Sequence, residues 1–381
     1  VFLILYKLSG PDAEALVALA GAIFILPFFF LSGLGGQMAD RFDKARMAQR
    51  LKFAEIGAAG LAVAGFWLHS VPVLFAALFS FGVIAALFGP IKYGILPEKL
   101  PTEDLPAANA LVEGATFLAI LLGTIAGGVA MTGGGHPILL GALIMGFAVM
   151  CYASSLFIPK HGPSAPDLKV DVNIFRSTKT LLGELWADAR LWRTGVMTSI
   201  FWLIGAVVMS LLPPLVKTVL GGTELVVSVF LAIFAISVAI GSAFGSFLCS
   251  GRIVLLPVPV AGLVMAFFAL DLGLAVAGLE PAKEALNVPA FFTHGIAWRV
   301  AMDFAGLAIA GGVFIVPSFA AAQHWAPEDK RARTIAAINV LNAAFMVVGA
   351  LLIGLVQKAG LTLPWLFGVI ALFAALSSIW I

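Results

Sequence analysis

The chain has 381 residues, 61% of them hydrophobic and only 11% charged, with a formal net charge of +2 and a mean hydropathy of +1.08. A soluble globular domain carries about 25% charged residues, so a water-soluble fold is excluded. The net charge says little, and the information lies in where the charges fall.

The apolar residues come in runs of about 20, the length that crosses a hydrocarbon core of about 30 Å. Lipid admits only helices and closed barrels as spanning elements. These runs are too long and continuous for the ten-residue alternation of barrel strands, at about ten residues per strand. The fold class is therefore an all-α membrane protein.

In chain order, residues 1–8 form an apolar stub that Ser9, Gly10 and Pro11 interrupt. It reads as the second half of a first helix. Runs follow near 13–36, 46–68, 72–91, 106–131 and 137–158, then a polar stretch at 159–190. Further runs lie near 194–216, 224–248, 253–278, 303–323, 334–357 and 362–381. Counting the stub, six helices, a linker and six more helices are predicted, the layout of transporters built from two repeats. The domains are then an N-terminal six-helix bundle at 1–158, a basic linker at 159–193 and a C-terminal six-helix bundle at 194–381. The chain stops at Ile381, on the edge of an apolar run, and reads as a segment of a longer polypeptide.

The linker holds Lys160, Lys169, Arg176, Lys179, Arg190 and Arg193 with Phe175, Leu181, Leu182, Leu185 and Trp186 interleaved. Residues 173–193 fit an amphipathic helix in the headgroup layer and fit a solvated basic linker equally well. A second such segment, 280–302, carries Phe291, Phe292, His294 and Trp298 and reads as an amphipathic helix on the outer surface. With the loop after the second helix taken as cytoplasmic, that face collects 17 of the 22 Lys and Arg residues, leaving Lys7, Lys217, Lys283, Arg299 and Lys358 opposite. The positive-inside rule then places both ends and the linker in the cytoplasm.

The stretch Gly36-Gln37-Met38-Ala39-Asp40-Arg41-Phe42-Asp43-Lys44-Ala45-Arg46 lies between the second and third helices. The glycine permits a close exit from the helix, Asp40 can face the positive N-terminus of a neighbouring helix, and Arg41, Lys44 and Arg46 hold the basic face. An ordinary positive-inside loop has the same charges. The pattern resembles the signature of the major facilitator transporters, in which it latches the two halves of the fold together. Asp43 stands where that signature has glycine.

A second block runs Phe88-Gly89-Pro90-Ile91-Lys92-Tyr93-Gly94-Ile95-Leu96-Pro97-Glu98, then Ala108-Asn109-Ala110-Leu111-Val112-Glu113, then Leu121-Leu122-Gly123-Thr124-Ile125-Ala126-Gly127-Gly128. It resembles the bacterial lysophospholipid transporters of the major facilitator class, and the likeness continues through Phe201-Trp202, Phe314-Ile315-Val316-Pro317 with Gln323, and the segment 335–342. The resemblance implies a major facilitator fold in the bacterial inner membrane. It also implies inward movement of lysophosphatidylethanolamine-type lipids for reacylation, and a partner or fused acyltransferase or acyl-carrier-protein synthetase. By the same resemblance, two family features are missing: an Asp-Asn pair in the first helix, and a seventh-helix arginine, whose place Met209 takes.

The residues suit such a cargo. A phosphodiester needs a cationic donor, and an ammonium needs a carboxylate or an aromatic face. Charge inside apolar helices is costly and usually functional, which singles out Lys92, beside Tyr93, for the phosphate and Glu113 for the amine or a gating ion pair. A structural ion pair between the two helices is the plain alternative. Asn109, Gln323, Asn339 and Asn342 are polar groups in or near spans. The last two share a helix face, and cavity lining and interhelical hydrogen bonding explain all four equally. Arg299 and Asp303, four apart, are either an outer headgroup site or an i,i+4 ion pair.

Cys151 and Cys249 sit in apolar runs and read as buried small hydrophobes. No phosphate-binding loop, metal spacing or nucleophile–base pair is present, so no cofactor, metal, enzymatic activity or nucleic-acid partner is expected. Two rival functions are a proton-coupled exporter of amphipathic drugs, with Glu113 titrating, and a non-transporting anchor for a fused enzyme.

Overall fold

A computed structural model of the chain describes residues 11–130, 136–279 and 285–381. The stub at 1–8, with Lys7, and Lys283 in the outer segment lie outside the described residues. Twelve helices of more than one turn are described. In the first half they are α1 (Pro11–Arg41), α2 (Lys44–Trp67), α3 (Val71–Gly94), α4 (Leu105–Ala130), α5 (Pro137–Ser155) and the linker helix α6 (Ile174–Ala187). In the second half they are α7 (Ala189–Pro214), α8 (Glu224–Cys249), α9 (Pro257–Val276), α10 (Gly295–Trp325), α11 (Arg331–Lys358) and α12 (Leu363–Trp380). Among the described residues, ten helical segments are long and apolar enough to cross a membrane. The remaining long helix, α2, carries Lys44, Arg46, Arg50, Lys52 and Glu55 in its first turns, which lowers its hydropathy without stopping the helix.

Local chemistry sets the helix ends. Proline stands at the first or second position of α3, α5, α9 and α12, where its missing N–H has no intrahelical acceptor to lose. Asp43 caps α2 by accepting the Arg46 amide at 2.9 Å, and Asn173 caps α6 by accepting the Arg176 amide at 3.1 Å. After Pro213 and Pro214, α7 passes into a π turn at Leu215–Val219, because the prolines remove backbone donors from the ladder. α8 ends in left-handed backbone at Ser250 (φ 46°) and Gly251 (φ 72°).

The helices gather into two compact units, neither continuous in sequence. The first comprises Val1–Lys99, Gly123–Trp192 and Trp325–Ala343. Here α1 packs along α3, and α2 packs along α3 and α5. The start of α11 joins this unit, so Ala332 shares a buried cluster with Ala39, Met47, Ala48 and Ile91. The linker helix also belongs here. Its face of Ser177, Leu181 and Leu185 is buried and packs on α1, where Gly33 leaves room for Leu181, Ser177 and Thr178. The apolar side of the linker is therefore covered by protein, while Phe175 and Trp186 remain exposed. The helix stops at Asp188, so Arg190 and Arg193 belong to α7.

The second unit comprises Leu100–Leu122, Arg193–His324 and Ala344–Ile381. Its central element is α10, buried without a break from Ala310 to Gln323. α8 crosses α10 where Gly241 faces the Ile309 backbone and Gly312 faces Ser242 and Val238. A Cβ on Gly241 would stand 2.0 Å from the Ile309 carbonyl oxygen. In lipid the solvent is as apolar as the side chains, so close backbone approach and dispersion hold such crossings. α9 packs along α12, and Phe230 meets Phe291, Phe292 and Phe304.

The expected outer amphipathic helix is not found among the described residues of 280–302. One helical turn occurs at Val288–Phe291, and α10 begins at Gly295, eight residues before the apolar run read at 303. The charge of Arg299 interrupts the apolar pattern over its first turns.

Candidate functional site

Asp40 ends α1 and is fully buried. Its carboxylate accepts the backbone amides of Ala332 at 3.0 Å and Arg333 at 3.1 Å, and the Nε of Arg333 at 3.0 Å. These are the first free amides of α11, so the carboxylate caps that helix from another element and meets the positive end of its dipole. The glycine of the motif makes the approach possible. A Cβ on Gly36 would lie 2.5 Å from the Ala336 Cβ and 2.9 Å from both the Ala332 oxygen and the Arg333 Cα.

A network extends from this contact. Lys44 is buried, lies 3.8 Å from Asp40, donates to Glu98, and donates to Ser164 at 2.7 Å, which in turn donates to Glu98 at 2.6 Å. Arg331 donates to the Pro97 carbonyl at 3.2 Å. The linker is stitched to the same loop. Asp43 accepts the amides of His161 and Gly162 at 3.0 and 2.7 Å, Arg41 donates to the Leu168 carbonyl, and Gln37 donates to Ser177 and accepts the Asp171 amide. Partial burial pushes the Asp43 carboxyl up, but the amides of Arg46, Gly162 and His161 outweigh it, so the group sits below the usual carboxylate range. Arg46 contributes through that amide, as the third residue of the cap. The partnership of Glu98, Ser164, Arg331 and Arg333 with this loop carries no local mark in sequence, because each acquires its partner only through tertiary folding.

The Lys92 block closes α3 in the first unit. The Lys92 ammonium lies 4.4 Å from the centre of the Tyr93 ring, a cation–π distance, and Tyr93 is itself buried. One turn earlier, a Cβ on Gly89 would stand 2.9 Å from the side-chain amide of Asn339 on α11. Asn342, one turn further along α11, is buried. The structure thus brings Asn339 to the Lys92 helix.

In the second unit, Glu113 on α4 is fully buried. Four residues on, Phe117 meets Phe201, Trp202 and Phe234, with the Trp202 ring stacked at 6.3 Å. Residues four apart share a helix face, so the carboxylate and the aromatic cluster lie along one side of α4. Asn109 and Gln323, both buried, form a reciprocal amide pair between α4 and α10. Asn109 donates at 2.6 Å and Gln323 donates back at 3.2 Å, which is the interhelical hydrogen bond among the two readings of these residues.

The i,i+4 pairing of Arg299 with Asp303 is replaced by another arrangement. The Arg299 guanidinium forks onto Asp271 of α9, at 2.6 and 3.2 Å, and Asp303 is buried against the same Asp271 carboxyl. Asp271, a lone acid in an apolar run, carries the same in-span charge signal as Glu113 and could have been found by it. The expectation of buried cysteines holds for Cys249, whereas Cys151 is exposed on the helix surface. No group of three or more metal-ligating side chains occurs among the described residues.

The first unit also holds a partly open apolar cavity of about 360 Å³ between α1, α2, α3, α4 and α5, walled by Phe66, Leu74, Phe75, Phe81, Leu143 and Phe147 among others. This is within the range of small-molecule sites, about 300–1,000 Å³.

Comparison with known proteins matches this architecture. Among solved structures, the human organic anion transporter MFSD10 has a TM-score of 0.76 at 14% identity, covering 99% of this chain and 87% of its own. The E. coli fucose:proton symporter FucP has 0.69 at 14% identity, covering 99% and 92%. At such identities the likeness concerns the fold alone. Among curated sequences, the lysophospholipid transporter LplT of Shigella dysenteriae is 29% identical over 368 residues, 94% of this chain and 85% of that protein. The LplT of Salmonella enteritidis is 33% identical over 258 residues, 65% of this chain and 62% of that protein. The resemblance read around Lys92 and Glu113 is thus borne out across nearly the whole chain. A family model described as Major Facilitator Superfamily matches residues 11–302. The chain is a multi-pass membrane protein that is similar to the LplT transporters and belongs to the Major Facilitator Superfamily.

Proposed function

We propose that the protein is a lysophospholipid transporter that moves lysophosphatidylethanolamine-type lipids to the cytoplasmic leaflet of the bacterial inner membrane by alternating access. The observation that carries this reading is the likeness to lysophospholipid transporters over 94% of the chain. The basic loops, with Asp40 and the linker, face the cytoplasm by the positive-inside rule, and an acyltransferase or acyl-carrier-protein synthetase, fused or associated, reacylates the delivered lipid.

The side chains support this cargo. Lys92 would take the phosphate, held by the Tyr93 ring. Glu113 would take the amine beside the aromatic face of Phe117 and Trp202. Asn339 and Asn342 offer amides to glycerol or phosphate oxygens, while Asn109 and Gln323 fix α4 to α10. The apolar cavity of the first unit suits a single acyl chain. The contact of Asp40 with the start of α11 would serve as a cytoplasmic gate, which alternating access requires to open.

Headgroup selectivity tests the reading. Quenching of the tryptophan fluorescence by lysophosphatidylethanolamine should saturate, and should be competed by lysophospholipids but not by cationic drugs. Saturation by the drugs with no response to lysophospholipid would replace this reading with the drug exporter.

A further inference from the structure

We propose that Asp271 and Asp303 form a proton-binding site in the second unit, one proton shared by two carboxyls, whose occupancy is coupled to movement of α10 against α9 during transport. The proposal extends the transporter reading and rests on it.

Three observations carry it. Asp303 is 3% exposed, and its Oδ2 has no hydrogen-bond partner among the described residues. Its carboxyl lies beside the carboxyl of Asp271. An ionised carboxylate only accepts hydrogen bonds, so the two carboxyls can bond to each other only when one of them carries a proton. The nearby cation, Arg299, places both of its donors on Asp271, at 2.6 and 3.2 Å. One guanidinium therefore balances one carboxylate, and the buried partner stays neutral while it keeps its proton.

Among the described residues no basic side chain forms an ion pair with Asp303. α12 packs along α9 and contains no ionisable side chain. On α8, which crosses α10, Glu224 is paired with Lys217 at 3.3 Å. The arginines of α7, Arg190 and Arg193, lie in its first turns, at the end away from the π turn that holds Lys217. His294, just ahead of α10, is exposed, and Glu280, Lys283 and Glu284 lie outside the described residues. Loss of the proton leaves two carboxylates in contact with a single cation, in an apolar setting that penalises the extra charge. Separation of Asp303 from Asp271 relieves that repulsion, which turns deprotonation into displacement of α10. A fixed ion pair that only fastens α9 to α10 would hold the same geometry without exchanging a proton.

Infrared spectroscopy of the protein in lipid separates the two. The wild type should show a protonated-carboxyl C=O band that disappears on alkaline titration, and Asp303→Asn, which keeps a donor toward Asp271, should lack it. In proteoliposomes, acidifying the side that carries Arg299 should change the initial rate of labelled lysophosphatidylethanolamine movement at least about fivefold, the lower end of typical coupling. Asp303→Asn should remove that response. A wild-type spectrum with no titrating band overturns the proposal, even if the variant fails to insert. A pH response that survives in Asp303→Asn, or a rate that follows a sodium gradient and not a proton gradient, also overturns it. The band is read without transported lipid. A titrating band in a protein that moves no lysophospholipid would count against the proposed cargo and not against the proton site.

Discussion

Asp40 holds Arg333 twice across 293 positions of sequence, through the Arg333 backbone amide at 3.1 Å and its side-chain Nε at 3.0 Å. One carboxylate therefore caps α11 and neutralises an arginine in its first turn. Both groups are buried, so neither can fall back on water if the other is removed. Breaking a buried pair from one side costs about 3–5 kcal/mol. Asp40→Ala should lower the thermal unfolding temperature and raise the reactivity of a cysteine placed at Ala332. Asp40→Ala with Arg333→Ala should cost less than the sum of the single changes, in a double-mutant cycle read by thermal unfolding. Strict additivity would show that the contact is not energetically coupled.

Gly36→Ala tests the close approach that permits this cap. The added Cβ meets the Ala336 Cβ at 2.5 Å and backbone atoms at 2.9 Å, so the helices must separate. Overpacking of this kind costs about 1–3 kcal/mol. Adding Ala336→Gly should recover only part of the loss in unfolding temperature, because the backbone contacts remain.

The amide pair of α4 and α10 gives a sign-sensitive test. Gln323→Ala leaves the buried Asn109 side chain short of a partner, a penalty of about 1–3 kcal/mol. Asn109→Leu with Gln323→Leu removes both polar groups and should be less destabilising than Gln323→Ala alone. The comparison is made by thermal unfolding in one detergent.

Asp43 sets a pH dependence at the linker. Its folded-state carboxyl is held below the ordinary range by the amides of Arg46, Gly162 and His161, against the opposing effect of burial. A depressed value means that the stabilisation is present above the unfolded value, about 4, and is lost as pH falls through the folded one. Asp43→Asn should therefore speed proteolysis or amide exchange around residues 159–165 at neutral pH. The difference from wild type should vanish in acid below the depressed value. A difference that persists unchanged into acid would contradict the assignment.

The spans were legible because lipid imposes a long apolar run on every helix, and ten helical segments show it directly. α2 was found despite its charges because its apolar half and the basic loop both point to a helix entering the membrane from one side. The start of α10 is hidden in sequence because Arg299 depresses hydropathy, although in the fold its charge is met by Asp271. The Gly36 and Asp40 motif announced a helix-terminus contact, yet its partners Ala332 and Arg333 lie almost three hundred residues away and carry no local mark. The linker showed its amphipathic pattern, but pattern alone could not tell a lipid surface from the side of α1. Asn109 and Gln323 were visible as polar groups in apolar helices. Only their geometry showed that they meet each other.

The central claim is lysophospholipid movement, and translocation itself tests it most directly. Labelled lysophosphatidylethanolamine is placed in the outer leaflet of vesicles containing the protein, and its arrival in the inner leaflet is followed with time. The protein should speed this movement over empty vesicles, and Lys92→Ala and Glu113→Ala should each slow it at least about tenfold, equivalent to about 1.4 kcal/mol. Vesicles in which the protein gives no acceleration would contradict the proposed function. Variants that match the wild-type rate would contradict the headgroup site.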